Sequence, residues 1–351
     1  MKKFKTILTI SIIAAMIAVF SLNSKTVIDS VKYSLKLCYS SVIPSLFPFF
    51  ILCEFLMSSV SQIGTNYSAV AFITGLVTGF PTGVKNVCQL YTDGCIDKKS
   101  AVSLLHCTAN ASPAYIVAFI GICIIHSKTA GIILLISQII CAFACAVFFK
   151  CLKKRKGKKS HFSVLNITEI ACKSITNSVL SCLFVCGYII FFGIIADLMV
   201  KSGIHTVISK ILFFIPQKQA QAVVIGFIEL TRGICMLDFS DNSSIITAAV
   251  IVAFSGISVI MQCMSSVVKA NLPARPLIMG KLIYTILMPI TAKCLSEIIT
   301  VKSGVYHTEQ MPVISFILFV IFLIACIIFI YNIFDKSKYR LYNKTKQTFG
   351  D

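Results

Sequence analysis

The sequence predicts an all-α, polytopic membrane protein made of inverted repeats, with about eight spanning helices and two broken, re-entrant hairpins. Three observations carry that prediction. Hydrophobic residues make up 57% of the 351-residue chain and charged residues 13%, against about 25% charged in soluble domains. The apolar residues gather in runs close to the roughly 17 to 25 needed to cross a bilayer. Two shorter apolar runs are broken by glycine or proline at matching places in two halves: GLVTGFPTG at 75–83 and GFIELTRG at 226–233. Irregular backbone is tolerated at membrane depth only where it is buried in protein or lines a cavity, so such a pair points to the substrate site of a transporter.

The elements follow in order. Residues 6–22 come after the basic start MKKFK and read as a retained helix rather than a cleaved signal peptide. Spans at 42–57, 104–125 and 132–149 complete the first half, and the first of them is kinked by Pro44 and Pro48. The second half has spans at 179–200, 245–268 and 277–299, with 313–334 last. Between them, 69–81 and 220–232 are about thirteen residues each, short for a core of roughly 30 Å, and read as segments that re-enter. Segment 204–215, ahead of Pro216, reads as a surface helix.

The chain then divides into an N-terminal helix (1–28), a first repeat (29–150), a basic cytoplasmic linker (151–173), a second, inverted repeat (174–300) and a C-terminal helix with a basic tail (301–351). Seven basic residues lie between Lys150 and Lys159 and five between Lys336 and Lys346, each group directly after an apolar run. With both termini and the linker on the cytoplasmic side, eight ordinary spans satisfy the positive-inside rule if each broken segment returns to its own face.

That distribution also explains the formal charge of +19 without nucleic acid, since no aromatic-interleaved basic face or nucleic-acid motif is present. The partners expected are the lipid bilayer and a small substrate. Most of the 16 cysteines sit in apolar runs, among them Cys141, Cys145, Cys182, Cys186 and Cys326, where they behave as small hydrophobes. Neither a metal site, a cofactor nor a disulfide is expected. No triad, phosphate cradle or paired carboxylates suggests an enzyme, and His106 reads as a buried hydrogen-bonding residue.

The candidate substrate-binding residues cluster at the two breaks. In the first, Gly79 and Gly83 permit close backbone approach, Pro81 frees carbonyls, Thr82 adds a hydroxyl, and Lys85 and Asn86 follow at once. A helix starting near Thr82 would favour an anion at its amides, while Lys85 could equally snorkel to the surface. In the second, Glu229, Thr231, Arg232 and Gly233 stand together. A carboxylate and a guanidinium three residues apart either satisfy each other or offer Arg232 to a substrate carboxylate, with Glu229 orienting it. Glu54 and Asp197, near counterparts in the two halves, are candidates for ion or proton coupling.

The runs PSLFPFFILCE (44–54), GFPTGVKN (79–86) and QLY (89–91), with Gly94, resemble the YlbJ-type sporulation integral membrane proteins, a group with the nucleoside-recognition or Gate domain. The resemblance spans roughly residues 30 to 300. It implies a multi-pass protein of the mother-cell membrane around the forespore, a hairpin site similar to that of concentrative nucleoside transporters, and dipicolinate as the substrate. Homo-oligomers or other sporulation membrane proteins are the macromolecular partners it suggests. A nucleoside transporter and a non-transporting assembly factor are the competing readings.

Overall fold

The computed structural model describes residues 2–61, 66–152, 167–240 and 243–299, and every regular element among them is helical. The first helix, α1 (Lys2–Leu22), meets α2 (Ser24–Leu37). A π-helical turn, Cys38–Val42, carries α2 into α3 (Ile43–Ser61). The widened turn lies where Pro44 and Pro48 withhold two backbone donors in succession. There follow α4 (Tyr67–Thr78), α5 (Thr82–Thr92), α6 (Lys98–Leu104), a π-helical segment Ala114–Ile124, and α7 (Lys128–Phe148). The second half opens with the long α8 (Ile167–Lys201). Beyond it come α9 (Ile204–Ser209) and a 3-10 turn Lys210–Leu212, then α10 (Gln217–Ile228) and α11 (Leu230–Cys235). Last are α12 (Ser243–Phe254), α13 (Gly256–Lys269) and α14 (Arg275–Ile298).

Helix α8 is the spine, with α2, α3, α10 and α13 against it, while α14 packs on both α12 and α7. Large apolar side chains such as Leu52, Val147, Leu180, Phe213 and Ile286 point outward, and Asn110, Gln138, Ser255 and Gln262 are buried. The core is apolar too, but so many outward apolar side chains with polar ones inside suit a chain whose solvent is hydrocarbon. Among the described residues five helical stretches are long and apolar enough to cross a membrane: Ser24–Phe55, Lys128–Phe148, Thr168–Lys201, Ser243–Lys269 and Arg275–Ile298. Counting Ile204–Leu212 with Gln217–Ile228, bent by 112°, gives six. The protein is a multi-pass membrane protein.

Two differences from the sequence reading bear on the count of about eight. Segment 104–125 is not a continuous span, because α6 stops at Leu104 and residues 105–113 run without regular helix before the π-helical segment. Hydropathy averages over such a break, whereas the run TANASP (108–113) offers the backbone alternative partners and ends in a proline. The span expected at 42–57 is the far end of a longer stretch that begins at Ser24. The span expected at 313–334 and the basic cluster after it lie outside the described residues, as does most of the linker.

Both hairpins expected from the broken segments are present as helix pairs. Arms α4 and α5 cross at Gly75 and Gly83, where a Cβ on Gly83 would stand 2.8 Å from Gly75 Cα. Arms α10 and α11 cross at Gly226 and Gly233, where a Cβ on Gly233 would overlap Gly226 and sit 2.7 Å from the Ala222 carbonyl. Only residues without side chains allow backbones so close.

Candidate functional site

The first break is set by Gly79, whose φ of +71° ends α4, and by Pro81 after a cis peptide bond with Phe80. A Cβ on Gly79 would collide with the backbone of Ala111 and Ser112, and the Phe80 amide donates to the Asn110 carbonyl at 2.6 Å. The tip of the first hairpin therefore rests on the break at 105–113. That break is braced from α7: Ala111 N–H donates to Gln138 Oε1 (2.8 Å), and Gln138 Nε2 donates to the Ala111 carbonyl (2.9 Å).

The second break has the same construction. Glu229 leaves the helix with extended dihedrals, and its Oε2 accepts the Arg232 amide at 2.8 Å, capping α11. Against it lie Ser255 and Gly256, both with positive φ, the break between α12 and α13; Gly256 abuts the Gly226 and Ile228 carbonyls. This break is braced from α14, where Lys281 Nζ donates to Ser255 Oγ at 2.7 Å. Tyr115 and Thr231 share a hydroxyl hydrogen bond of 2.9 Å, which ties the π-helical segment of the first half to the second hairpin.

The Gln138 brace leads to a prediction. Gln138→Ala strands the buried N–H and C=O of Ala111, at about 1–3 kcal/mol for each group left unpaired. A thermal melt of the purified variant should fall by several degrees, and a melt equal to wild type would remove the bracing role.

Two ion pairs flank this centre. Lys85 Nζ lies 2.7 Å from Glu54 Oε1, and Asn177 of α8 reaches the other carboxylate oxygen at 3.5 Å. Arg232 lies 2.9 Å from Asp197 Oδ2 of α8, donates to Ser30 and Ser34, and stacks on the Tyr33 ring at 4.0 Å. Twenty residues of α8 separate Asn177 from Asp197, about 30 Å at 1.5 Å per residue and close to the thickness of a hydrocarbon core. The two pairs thus stand at opposite ends of the helix.

Two cavities among the described residues bear on this centre. An inner one of about 20 Å³, room for about one water molecule, is lined by Phe80, Ser112, Tyr115, Glu229, Ser258 and Gln262 among others. A vestibule of about 420 Å³ opens beside α5, α8 and α13, with Pro81, Lys85, Asn177, Ser266 and Lys269 in its wall. Gln262 lines both. It is 1% exposed, and its Oε1 has no hydrogen-bond partner.

The structure distributes the expected site residues unevenly. Glu229 reaches the inner cavity, Pro81 and Lys85 the vestibule. Thr82 and Asn86 are buried with Oγ1 and Nδ2 unpartnered. Gly83 and Gly233 serve the helix crossings, and Thr231 holds Tyr115. Arg232 does not line either cavity, and it is Asp197, not the Glu229 carboxylate, that pairs with its guanidinium. Glu54 and Asp197 each neutralise a hairpin cation. His106 stacks on Phe149 and bonds Ser103, a packing role.

Sequence reasoning missed Gln138, Lys281 and Tyr115. A lone amide in LLISQIICAF and a lone lysine inside an apolar run were the available signals.

Fold and site together define a helical multi-pass membrane protein with a polar core assembled from broken helices. No family model matches the chain, and no solved structure matches it. It is similar to the sporulation integral membrane protein YlbJ of Bacillus subtilis (strain 168), at 22% identity over 329 residues, with 81% of each chain covered. That similarity supports assignment as a YlbJ-type membrane protein of sporulation.

Proposed function

We propose that the protein is a transporter of a small organic anion, with dipicolinate as the candidate substrate. It would move from the mother cell across the membrane around the forespore, with no chemistry done on it. The observation that carries this reading is the vestibule that meets the inner cavity at Gln262, at the junction of two hairpin tips and two broken helices. Its wall holds Lys85, which Glu54 neutralises, and Lys269, which pairs with no carboxylate among the described residues, so the net positive charge left there favours an anionic guest. The vestibule lies along the N-terminal half of α8, the helix that follows the basic run 150–159 in the sequence, and the positive-inside rule assigns that run to the cytoplasm.

We read the halves as inverted repeats of the Gate type. Each has a glycine-crossed hairpin, then a helix whose break rests on the hairpin tip, then a long helix with a polar side chain bracing that break. Substrate sites at such junctions are the common design of repeat-built transporters.

The test is uptake of radiolabelled dipicolinate into proteoliposomes holding the purified chain. Saturable uptake is expected, and Gln262→Ala should change its half-saturating concentration by about tenfold, the effect of losing one good polar contact. Empty-vesicle rates from folded protein would sink the carrier reading.

A nucleoside carrier is the second reading, favoured by one feature: Thr82 Oγ1, Asn86 Nδ2, Asn110 Oδ1 and Gln262 Oε1 are uncharged, buried and unpartnered. Competition of the uptake by nucleosides rather than by pyridine dicarboxylates would select it.

A further inference from the structure

The three cations set near the centre are not equivalent. Lys85 and Arg232 are each neutralised by a carboxylate within 3 Å. Lys281 is 4% exposed, and no carboxylate among the described residues pairs with it. Its neighbours include the Ser255 hydroxyl at 2.7 Å and the rings of Phe80 and Tyr284 at 5.6 and 6.0 Å. An ammonium has three donors, and one buried at membrane depth without an anion is costly to maintain.

The surroundings of Lys281 add a second cationic element. Ser255 precedes α13 but does not cap it, because its hydroxyl donates back to the Val252 carbonyl. The first turn of this 14-residue helix thus keeps its positive end unanswered by a side chain at that cap. From that turn Ser258 faces the inner cavity, beside Gln262 with its unpartnered oxygen and Phe80; Lys281 stands behind the wall, over the Phe80 ring, and the Glu229 carboxylate, which caps α11, is the acid in that wall.

We infer that Lys281, with the uncapped N-terminus of α13, holds a carboxylate of the transported anion at the inner end of the path. This rests on the anion-carrier reading above and names the counter-charge within it. The substrate supplies the negative charge that the protein withholds from Lys281, so binding and charge compensation are one event. The hairpin cations, already paired, hold the architecture.

The experiment compares wild type, Lys281→Met and Lys281→Arg in the same proteoliposomes, with dipicolinate as probe and chloride as control anion. Melting temperatures are recorded in detergent with and without dipicolinate. Expected are saturable wild-type uptake, a rise of about tenfold or more in half-saturating concentration for Lys281→Met, from loss of a charge-assisted contact, and partial recovery in Lys281→Arg. Dipicolinate should raise the melting temperature of wild type and not of Lys281→Met, whose own melt should change little, because removal of an uncompensated buried charge offsets loss of the bond to Ser255.

Wild-type kinetics in Lys281→Met overturn the inference and leave the carrier reading standing. Loss of uptake together with a collapsed melt and no recovery in Lys281→Arg also overturns it, by making Lys281 a structural strut. A wild type that neither takes up dipicolinate nor is stabilised by it overturns the carrier reading itself.

Discussion

Gly233→Ala is expected to prevent the second hairpin from closing. The added methyl would overlap Gly226 Cα and press within 2.7 Å of the Ala222 carbonyl, and both obstacles are backbone. Neither can rotate away as a side chain would, so α10 and α11 must separate, which also moves the Glu229 cap and the Thr231 contact with Tyr115. A loss of about 3 kcal/mol or more is expected, at or beyond the upper end for overpacking. The readout is yield and monodispersity on gel filtration. Gly187→Ala is the control, because its methyl would meet nothing within 4 Å in the middle of α8, and there alanine is neutral or mildly stabilising. A Gly233→Ala protein with the yield and melt of the control would show that the crossing is not tight.

Asp197→Ala is expected to cost more than deleting both partners. Arg232 would keep Ser30, Ser34 and the Tyr33 ring but lose its carboxylate, and a poorly hydrated guanidinium without a counter-charge is the expensive state. Because Asp197 is 30% exposed, the loss should fall below the full buried-pair value, at about 2 kcal/mol. The double variant Asp197→Ala with Arg232→Met should recover part of it. A double-mutant cycle on melting temperature measures the coupling, and a single variant that melts like wild type would mean that solvent already screens the pair.

The breaks were legible because glycine and proline act locally. Gly79, Pro81 and Gly233 announce irregular backbone wherever the chain goes, and α5 starts at Thr82, where the first motif places it. Pairing is another matter. Lys85 meets a carboxylate 31 residues away and Arg232 one 35 residues away, whereas Glu229 and Arg232, neighbours on one turn, divide into a helix cap and a distant ion pair. Sequence distance favours the near partner; the helix-capping geometry of an extended residue overrides it. The break at 105–113 carried its signal in Asn110, Ser112 and Pro113, yet small polar residues also mark close packing, and only the contact with the Phe80 amide separates the two meanings. Lys281 was masked by the company of many lysines that set topology.

Gln262 lines both cavities, the inner one and the vestibule. Rotation about side-chain bonds takes picoseconds to nanoseconds where a side chain is free, while rocking of packed helices takes microseconds to milliseconds. Toward the C-terminal end of α8, Arg232 has a carboxylate, two serines and a tyrosine ring on it. If the protein is the carrier proposed above, opening toward the vestibule would need the Gln262 side chain to turn, and opening toward the far end of α8 would need packed helices to move, so the far side would be the slower step.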